Sequence, residues 1–300
     1  MYRELINEIA NDRLSGASDL AARGAAALAL LASECRASTV DEFWAELVDA
    51  ARALRRAQPA MAPLLHVAQR VLNAAQGQRD IEAMREMVRR AAETFRAELE
   101  AGGERIAQTG ADLLHDGAVV VTVSYSSLVL KALLHARREG KRLHVICPES
   151  RPLYEGRGLA QRLAEAGMEV TLIVDAAAPA QVARADVVLV GADGVTAEAV
   201  INKVGTYPLA LAAQAHRVPL YALAGEEKFW PSAVAPLIPE RASAEVWPEP
   251  AAGVTVLNRY FEPVPLDLFT GLVTAAGLLP PQQVRQQVNA LQVHTALLEL

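Results

Sequence analysis

Five short, mainly apolar runs lie between Ala118 and Ala224, separated by segments of helical periodicity, and few architectures accept that pattern. The runs are Ala118–Val123, Leu143–Ile146, Val170–Val174, Val187–Val190 and Leu220–Ala224, with helical spacing over Leu128–Ala136 and Leu159–Ala166 between them. A strand that is apolar at every position must be covered on both faces. Strand–helix alternation of this kind therefore predicts a doubly wound α/β unit with a parallel sheet.

Residues 1 to about 110 carry a different texture, with helical periodicity and almost no strand signal. Leu5, Ile6 and Ile9 form one stripe, which Ser15-Gly16-Ala17-Ser18 breaks, and Ser18 reads as the N-cap of an Ala- and Leu-rich helix running to about Leu31. Ser38-Thr39-Val40-Asp41-Glu42 opens another, continued by Phe43, Leu47, Ala50 and Leu54 and stopped at Gln58-Pro59. Leu64, Leu65, Val67, Ala68, Val71 and Leu72 mark a fourth. Ile81, Met84, Val88, Ala91, Phe95 and Leu99 describe one long amphipathic helix, with Gly102-Gly103 as a point of bending. The expected organisation is an all-helical domain over residues 1–110 and an α/β domain over 111–300. Within the latter, Pro231–Pro250 reads as an irregular surface excursion, Val254–Val256 as a late strand, Pro265 to Leu272 as a helix, and the segment after Pro280-Pro281 as a final amphipathic helix.

At 300 residues and 52% hydrophobic content the chain has ample material for a core. A net charge of −6 argues against broad nucleic-acid or anionic-membrane binding, so no direct nucleic-acid partner is expected. Cys35 and Cys147 provide neither a disulfide framework nor metal spacing, the N-terminus is not a secretory signal, and no apolar run approaches the roughly 18 residues of a membrane span. These features predict a cytoplasmic protein. There is no GxxxxGK[ST], CxxC, HExxH or GxSxG pattern, and the six histidines show no ligand spacing, so no cofactor or metal is expected. Gly156-Arg157-Gly158 is a near-miss to a dinucleotide fingerprint that lacks its third glycine.

The most informative stretch runs from Val187 to Trp230. A strand ends in Gly191-Ala192-Asp193, a short loop is expected to carry Asn202 and Lys203, and Gly205-Thr206 opens a helix; the next strand ends in Gly225-Glu226-Glu227-Lys228. In open α/β sheets ligands bind outside the carboxyl ends of the strands. Lysines there, with the free N–H groups of the helix opened by Gly205-Thr206, suit an anionic, phosphorylated ligand, although the same residue types also serve as ordinary turn and capping chemistry. Pro148-Glu149-Ser150-Arg151-Pro152 sits at the same kind of edge. It reads either as a proline-bounded turn with a solvated ion pair or as a loop presenting Arg151 to a phosphate. Thr122-Val123-Ser124-Tyr125-Ser126 offers hydroxyls that can cap a helix or bind a phosphate.

The segment GADGVTAEAVINKVGTYPLALAAQAH, followed by EEKF, resembles the superfamily that joins the α, β and δ subunits of eukaryotic translation initiation factor 2B to methylthioribose-1-phosphate isomerase and archaeal ribose-1,5-bisphosphate isomerase. The later Asn258-Arg259-Tyr260-Phe261-Glu262-Pro263 segment resembles the same superfamily. The resemblance implies a helical domain followed by a Rossmann-like domain, a homodimer formed through the C-terminal domain, and a phosphorylated sugar or nucleotide bound in a cleft between domains. It implies ligand-binding roles for Gly16, Ala17, Tyr125, Ser126, Arg151, Asn202, Lys203 and Lys228. In the isomerases a T-H-C-x-S segment supplies a cysteine that moves a proton, with the GAD aspartate, here Asp193, acting on an oxygen.

This chain departs from that pattern. Ser124 stands where the cysteine belongs and Val123 where the histidine belongs, and a serine hydroxyl needs an adjacent base before it can take a proton. Ser15-Gly16-Ala17 replaces Arg-Gly-Ala, and Gln58-Pro59 replaces an Arg-Pro pair. Two lost guanidiniums remove charge-assisted bonds worth about 1.5 to 3 kcal/mol each. These differences resemble the non-catalytic α subunit. The expected function is ligand binding without the cysteine-dependent isomerase reaction; the alternatives are an aldose-phosphate isomerase using Asp193 with a partner such as Ser124, and a purely structural role.

Overall fold

The computed structural model describes residues 1–13 and 15–298. Its contacts divide the chain into two compact units. The first comprises Met1–Ala101, Glu227–Leu237 and the C-terminal stretch from Ala290; the second comprises Gly102–Glu226 and Ile238–Asn289.

The first unit is helical, as its periodicity predicts. It contains α1 (Tyr2–Asn11), α2 (Ala17–Glu34), α3 (Val40–Ala57), α4 (Ala62–Ala75) and the N-terminal part of α5 (Ile81–Asp112). Helix α3 starts with a full capping box, in which Thr39 accepts from the Glu42 amide and the Glu42 carboxylate accepts in return from the backbone N–H of Thr39. Helix α2 begins two residues earlier than expected, with Gly16 rather than Ser18 at the N-cap, and the Ser15 amide and hydroxyl both donate to Asp12 and fix the preceding loop. The core is the predicted stripe, with Ile9, Leu20, Phe43, Leu47, Leu54 and Leu64 fully buried. Each contributes on the order of 1.5–3 kcal/mol. The C-terminal stretch is tied to this unit by Arg52 Nε, which donates to the Ala296 carbonyl at 2.9 Å, and by Arg55, which donates to the Leu297 carbonyl. Helix α5 runs unbroken through Gly102-Gly103.

The second unit is built on a seven-stranded sheet. Its strands are β1 (Val119–Val121), β2 (His144–Pro148), β3 (Glu169–Ile173), β4 (Val187–Val190), β7 (Leu220–Leu223), β9 (Gly271–Thr274) and β10 (Gly277–Leu279). The order is β10-β9-β7-β4-β1-β2-β3, parallel except for β10. From β3 to β9 this is the doubly wound order, whose direction of winding reverses between β1 and β4. Helices α6 (Ser127–Arg138) and α7 (Glu155–Glu165), with the end of α5, share one core with Val120, Val145, Cys147 and Leu189. Helix α8 (Ala178–Gln181) contacts β2, and α9 (Thr206–His216) contacts β4. Two helical layers explain why β4 is apolar and buried at every position, whereas the edge strand β3 carries Glu169 and Thr171 and leaves Leu172 exposed. Helix α10 (Pro281–Ala290) follows β10.

A second, three-stranded antiparallel sheet joins β5 (Gly194–Val195), β6 (Ala199–Lys203) and β8 (Phe261–Pro265) in the order β5-β6-β8. It corrects the expected loop at Asn202 and Lys203, since both lie on β6. The helix expected to reach Leu272 is instead β8, a short 3-10 turn and β9, and Val254–Val256 forms no strand. Pro265 and the exposed alternate positions of β8 mimic a turn-rich helical start, while the pairing partner of β8 lies about sixty residues earlier in the chain.

Candidate functional site

The topological reversal between β1 and β4 places the loops after these two strands side by side at the carboxyl edge. After β1, Ser124 takes a left-handed backbone, φ 62°, and its amide donates to Ser150 Oγ at 2.9 Å. Ser126 caps α6, accepting from the Val129 amide at 3.3 Å. Thr122 is fully buried, and its hydroxyl has no hydrogen-bond partner among the described residues.

After β2 the chain turns sharply. Ser150 and Tyr154 both adopt positive φ, and the Ser150 and Arg151 amides are held by the two oxygens of Asp175 at 2.7 and 2.8 Å. A Cβ on Gly156 would lie 1.9 Å from the Pro148 carbonyl oxygen and 3.0 Å from Ser150 Oγ. Only glycine lets α7 start this close to β2, and Gly156-Arg157-Gly158 is thus a packing feature at its first glycine. Glu155 is carried down beside the Ser150 turn.

Gly191, directly after β4, makes the next approach. A Cβ there would lie 2.7 Å from Ser126 Oγ and 3.9 Å from Asn202 Oδ1. Asn202 Nδ2 donates to Thr206 Oγ1 at 2.9 Å, and that hydroxyl donates to the Lys203 carbonyl at 2.6 Å, which fixes the turn between β6 and α9. Lys203, 2% exposed, extends its ammonium to Glu155 Oε1 at 2.7 Å. A ring of contacts closes: Ser124 to Ser150, Gly156 and Glu155 to Lys203, and Asn202 through Gly191 to Ser126. Asp193 joins it through its amide, which donates to the carbonyl of Ile201, the residue before Asn202, at 2.8 Å.

Arg151 and Lys203 are linked through Tyr260 and Glu245. Lys203 Nζ lies 5.2 Å from the centre of the Tyr260 ring, the Tyr260 hydroxyl donates to Glu245 Oε2 at 2.5 Å, and Arg151 Nη2 donates to the Glu245 and Val246 carbonyls at 3.3 and 3.1 Å. Arg151 Nη1 also donates to the Tyr154 hydroxyl at 2.9 Å. The acceptors of the Arg151 guanidinium are all neutral, whereas Lys203 and Arg157 each face a carboxylate. Tyr125, 40% exposed, lies against Gly158.

One expectation is overturned. The amides that open α9 are not all free for a ligand, because Glu262 Oε1, on β8, accepts from the Gly205 and Tyr207 amides at 2.8 Å each. A built-in carboxylate occupies the positive end of the helix. Gly16 and Ala17 form the start of α2 in the first unit, where Gln58 Nε2 donates to the Ile9 and Asp12 carbonyls at 2.9 Å, a structural use for the residue that replaces arginine. Lys228 is a buried residue of a 3-10 turn and belongs to the first unit.

Acid–base groups are scarce at the ring. Cys147 is buried within β2, and burial alone pushes its thiol up to about 12, so it supplies no thiolate. The four histidines of the second unit lie toward the opposite edge of the sheet. His115 precedes β1 and bonds the Asp116 carbonyl, His135 lies in the last turn of α6 beside Glu139, His144 starts β2 and meets Thr171 Oγ1 at 2.8 Å, and His216 ends α9. Among the described residues no cluster of His, Cys, Asp or Glu could hold a metal ion, and no helix is long and apolar enough to cross a membrane.

The sequence model of the initiation factor 2 subunit family matches residues 13–281. The chain belongs to the initiation factor 2 subunit family. Among the relatives of this family member is the protein named ribose 1,5-bisphosphate isomerase in Thermococcus kodakarensis, 33% identical over 291 residues that cover 93% of this chain and 90% of the relative. The crystal structure of the Pyrococcus horikoshii OT3 translation initiation factor eIF-2B matches it with a TM-score of 0.83 at 30% identity, covering 94% of this chain and 98% of that one. Subunit delta of translation initiation factor eIF-2B from A. fulgidus matches with a TM-score of 0.71 at 32% identity, covering 94% and 89%.

In this initiation factor 2 family member, sequence reasoning passed over Glu155, Tyr260 and Glu262. Glu155 had one available signal, since a lysine buried on a strand requires a carboxylate. Glu262 stood within a motif already noticed, but its role depends on the β6–β8 pairing that sets it opposite Asn202.

Proposed function

We propose that this initiation factor 2 family member binds a small phosphorylated sugar or nucleotide at the carboxyl edge of β1, β2, β4 and β6, without the cysteine-dependent isomerase reaction. The observation that carries the reading is the ring of close contacts around an edge that has a serine at position 124 and, among the described residues, neither a thiolate nor an imidazole, the histidines of this unit lying at the opposite edge of the sheet. Arg151, Ser126 and Tyr125 face the phosphate end, Asn202 and Lys203 form the polar wall, and Asp193 takes a sugar hydroxyl. A melting-temperature screen with ribose 5-phosphate and nucleoside monophosphates tests binding: a site filled a hundredfold above its Kd adds about 2.7 kcal/mol. Proton NMR with ribose 1,5-bisphosphate and methylthioribose 1-phosphate tests the chemistry, and no product is expected.

The 33% identity over 93% of the chain to a protein named ribose 1,5-bisphosphate isomerase favours a second reading. In it Asp193 and Ser124 share the proton transfers of an aldose-phosphate isomerisation. Turnover abolished by Asp193→Asn would establish it and remove the first. Under either reading the chain works as a cytoplasmic homodimer through its α/β unit. Tyr207 and Leu211, exposed one turn apart on α9, support that contact, and sedimentation velocity tests it.

A further inference from the structure

The geometry points to Glu155 as the residue that sets the ligand class, admitting a hydroxyl-bearing end at Lys203 and turning a second phosphate away. This rests on the binding reading above and deepens it. Lys203 is the buried cation of the ring, yet its ammonium is already matched at 2.7 Å by a carboxylate that is itself only 16% exposed. The pair is close to neutral as a unit. A phosphate brought to Lys203 would meet Glu155 at the same distance and suffer a like-charge juxtaposition in a poorly solvated place.

The second oxygen of the carboxylate says what would be welcome instead. Glu155 Oε2 is fully buried and has no hydrogen-bond partner among the described residues. Buried acceptors are rarely left so, and a carboxylate oxygen accepts only from a donor. A sugar hydroxyl is a donor without charge, and it can take Oε2 while its own oxygen accepts from Lys203. Asn202, fixed by Thr206, adds amide polarity beside it. The Arg151 guanidinium, by contrast, bonds only neutral acceptors, so its charge is uncompensated by any carboxylate within ion-pairing distance among the described residues. Charge is thus distributed unevenly: one end suits an anion and the other a polyol. A monophosphorylated sugar fits this distribution, and a bisphosphate does not.

Isothermal titration of the full-length protein with ribose 5-phosphate and with ribose 1,5-bisphosphate tests the assignment. The wild type is expected to bind the monophosphate about tenfold more tightly. In Glu155→Gln the amide oxygen still accepts from Lys203 while the NH2 turns the former acceptor into a donor. Bisphosphate affinity should then rise about tenfold and monophosphate affinity should fall, so that the order reverses. Wild-type protein that binds the bisphosphate at least as tightly overturns the assignment without any variant, and so does an unchanged ratio in a folded Glu155→Gln. If neither compound binds either form, the binding reading itself fails, and the role of Glu155 fails with it.

Discussion

The ammonium of Lys203 and the carboxylate of Glu155 stand 2.7 Å apart, one on a strand of the small sheet and the other at the first turn of α7, both largely withdrawn from solvent. Breaking such a pair leaves an uncompensated buried charge. Lys203→Met is expected to cost about 3–5 kcal/mol in urea unfolding, and a Lys203→Met, Glu155→Leu double variant should recover most of that. A loss below about 1 kcal/mol for the single variant would mean that water reaches the pair freely.

Gly191 and Ser126 bring the loops after β1 and β4 into close approach. Gly191→Ala places a methyl 2.7 Å from Ser126 Oγ and 2.8 Å from Ser126 Cβ. The expected cost is about 1–3 kcal/mol, with weaker ribose 5-phosphate binding. Adding Ser126→Ala should not rescue stability, because the Cβ contact survives. Adding Ser126→Gly should relieve the clash while sacrificing the cap of α6.

Glu262 closes the N-terminus of α9 from a neighbouring strand. Glu262→Ala frees two amides and removes a favourable charge from the helix end, for an expected loss of about 1–2 kcal/mol. Glu262→Gln keeps an acceptor and should lose less than half as much. Equal melting temperatures for all three proteins would show that water replaces this carboxylate without cost.

His66, in the first unit, donates from Nε2 to the Phe229 carbonyl at 2.6 Å, and burial holds its pKa below the ordinary 6.5. The unfolded chain takes up a proton near pH 6.5, the folded chain only at lower pH. Stability is therefore full above pH 6.5 and declines as pH falls through the lower folded value. Chemical unfolding between pH 7.5 and 5 should show that slope, and His66→Gln should flatten it.

Cys147 gives the complementary prediction at alkaline pH. Its thiol is raised from 9.0 to about 12 by burial, so the unfolded chain ionises first and stability falls as pH rises from about 9 toward 12. Iodoacetamide at pH 8 should modify Cys35, which is partly exposed, and leave Cys147 unmodified until the protein unfolds. Equal labelling rates in the native protein would contradict its burial.

The helical stripes and the apolar strands were legible because each depends on a local period, and Phe43, Leu47 and Leu54, or Val187 to Val190, declare burial by themselves. Ser38 to Glu42 was legible as a helix start, and the capping box of Thr39 and Glu42 is what the structure adds to it. Asn202 and Lys203 were harder, since they form the polar end of their strand, which finds its partner at Phe261 and Glu262, far along the chain. The same non-local pairing hid the cap on α9, and the partner of Lys203 lies on α7, 48 residues earlier. Short-range spacing could mark those residues as chemically capable, but which carboxylate meets which cation is decided by how separate segments fold against one another.

The chain passes four times between its two contact units, at Ala101, Glu226, Leu237 and Asn289. Neither can be excised with a single cut, and the α/β half expressed from Gly102 onward would carry orphaned pieces of the helical half within it. Removing the last ten residues would strip the donors on Arg52 and Arg55 of their carbonyls, so a tag or truncation at the C-terminus should be felt first in the helices at the opposite end of the sequence.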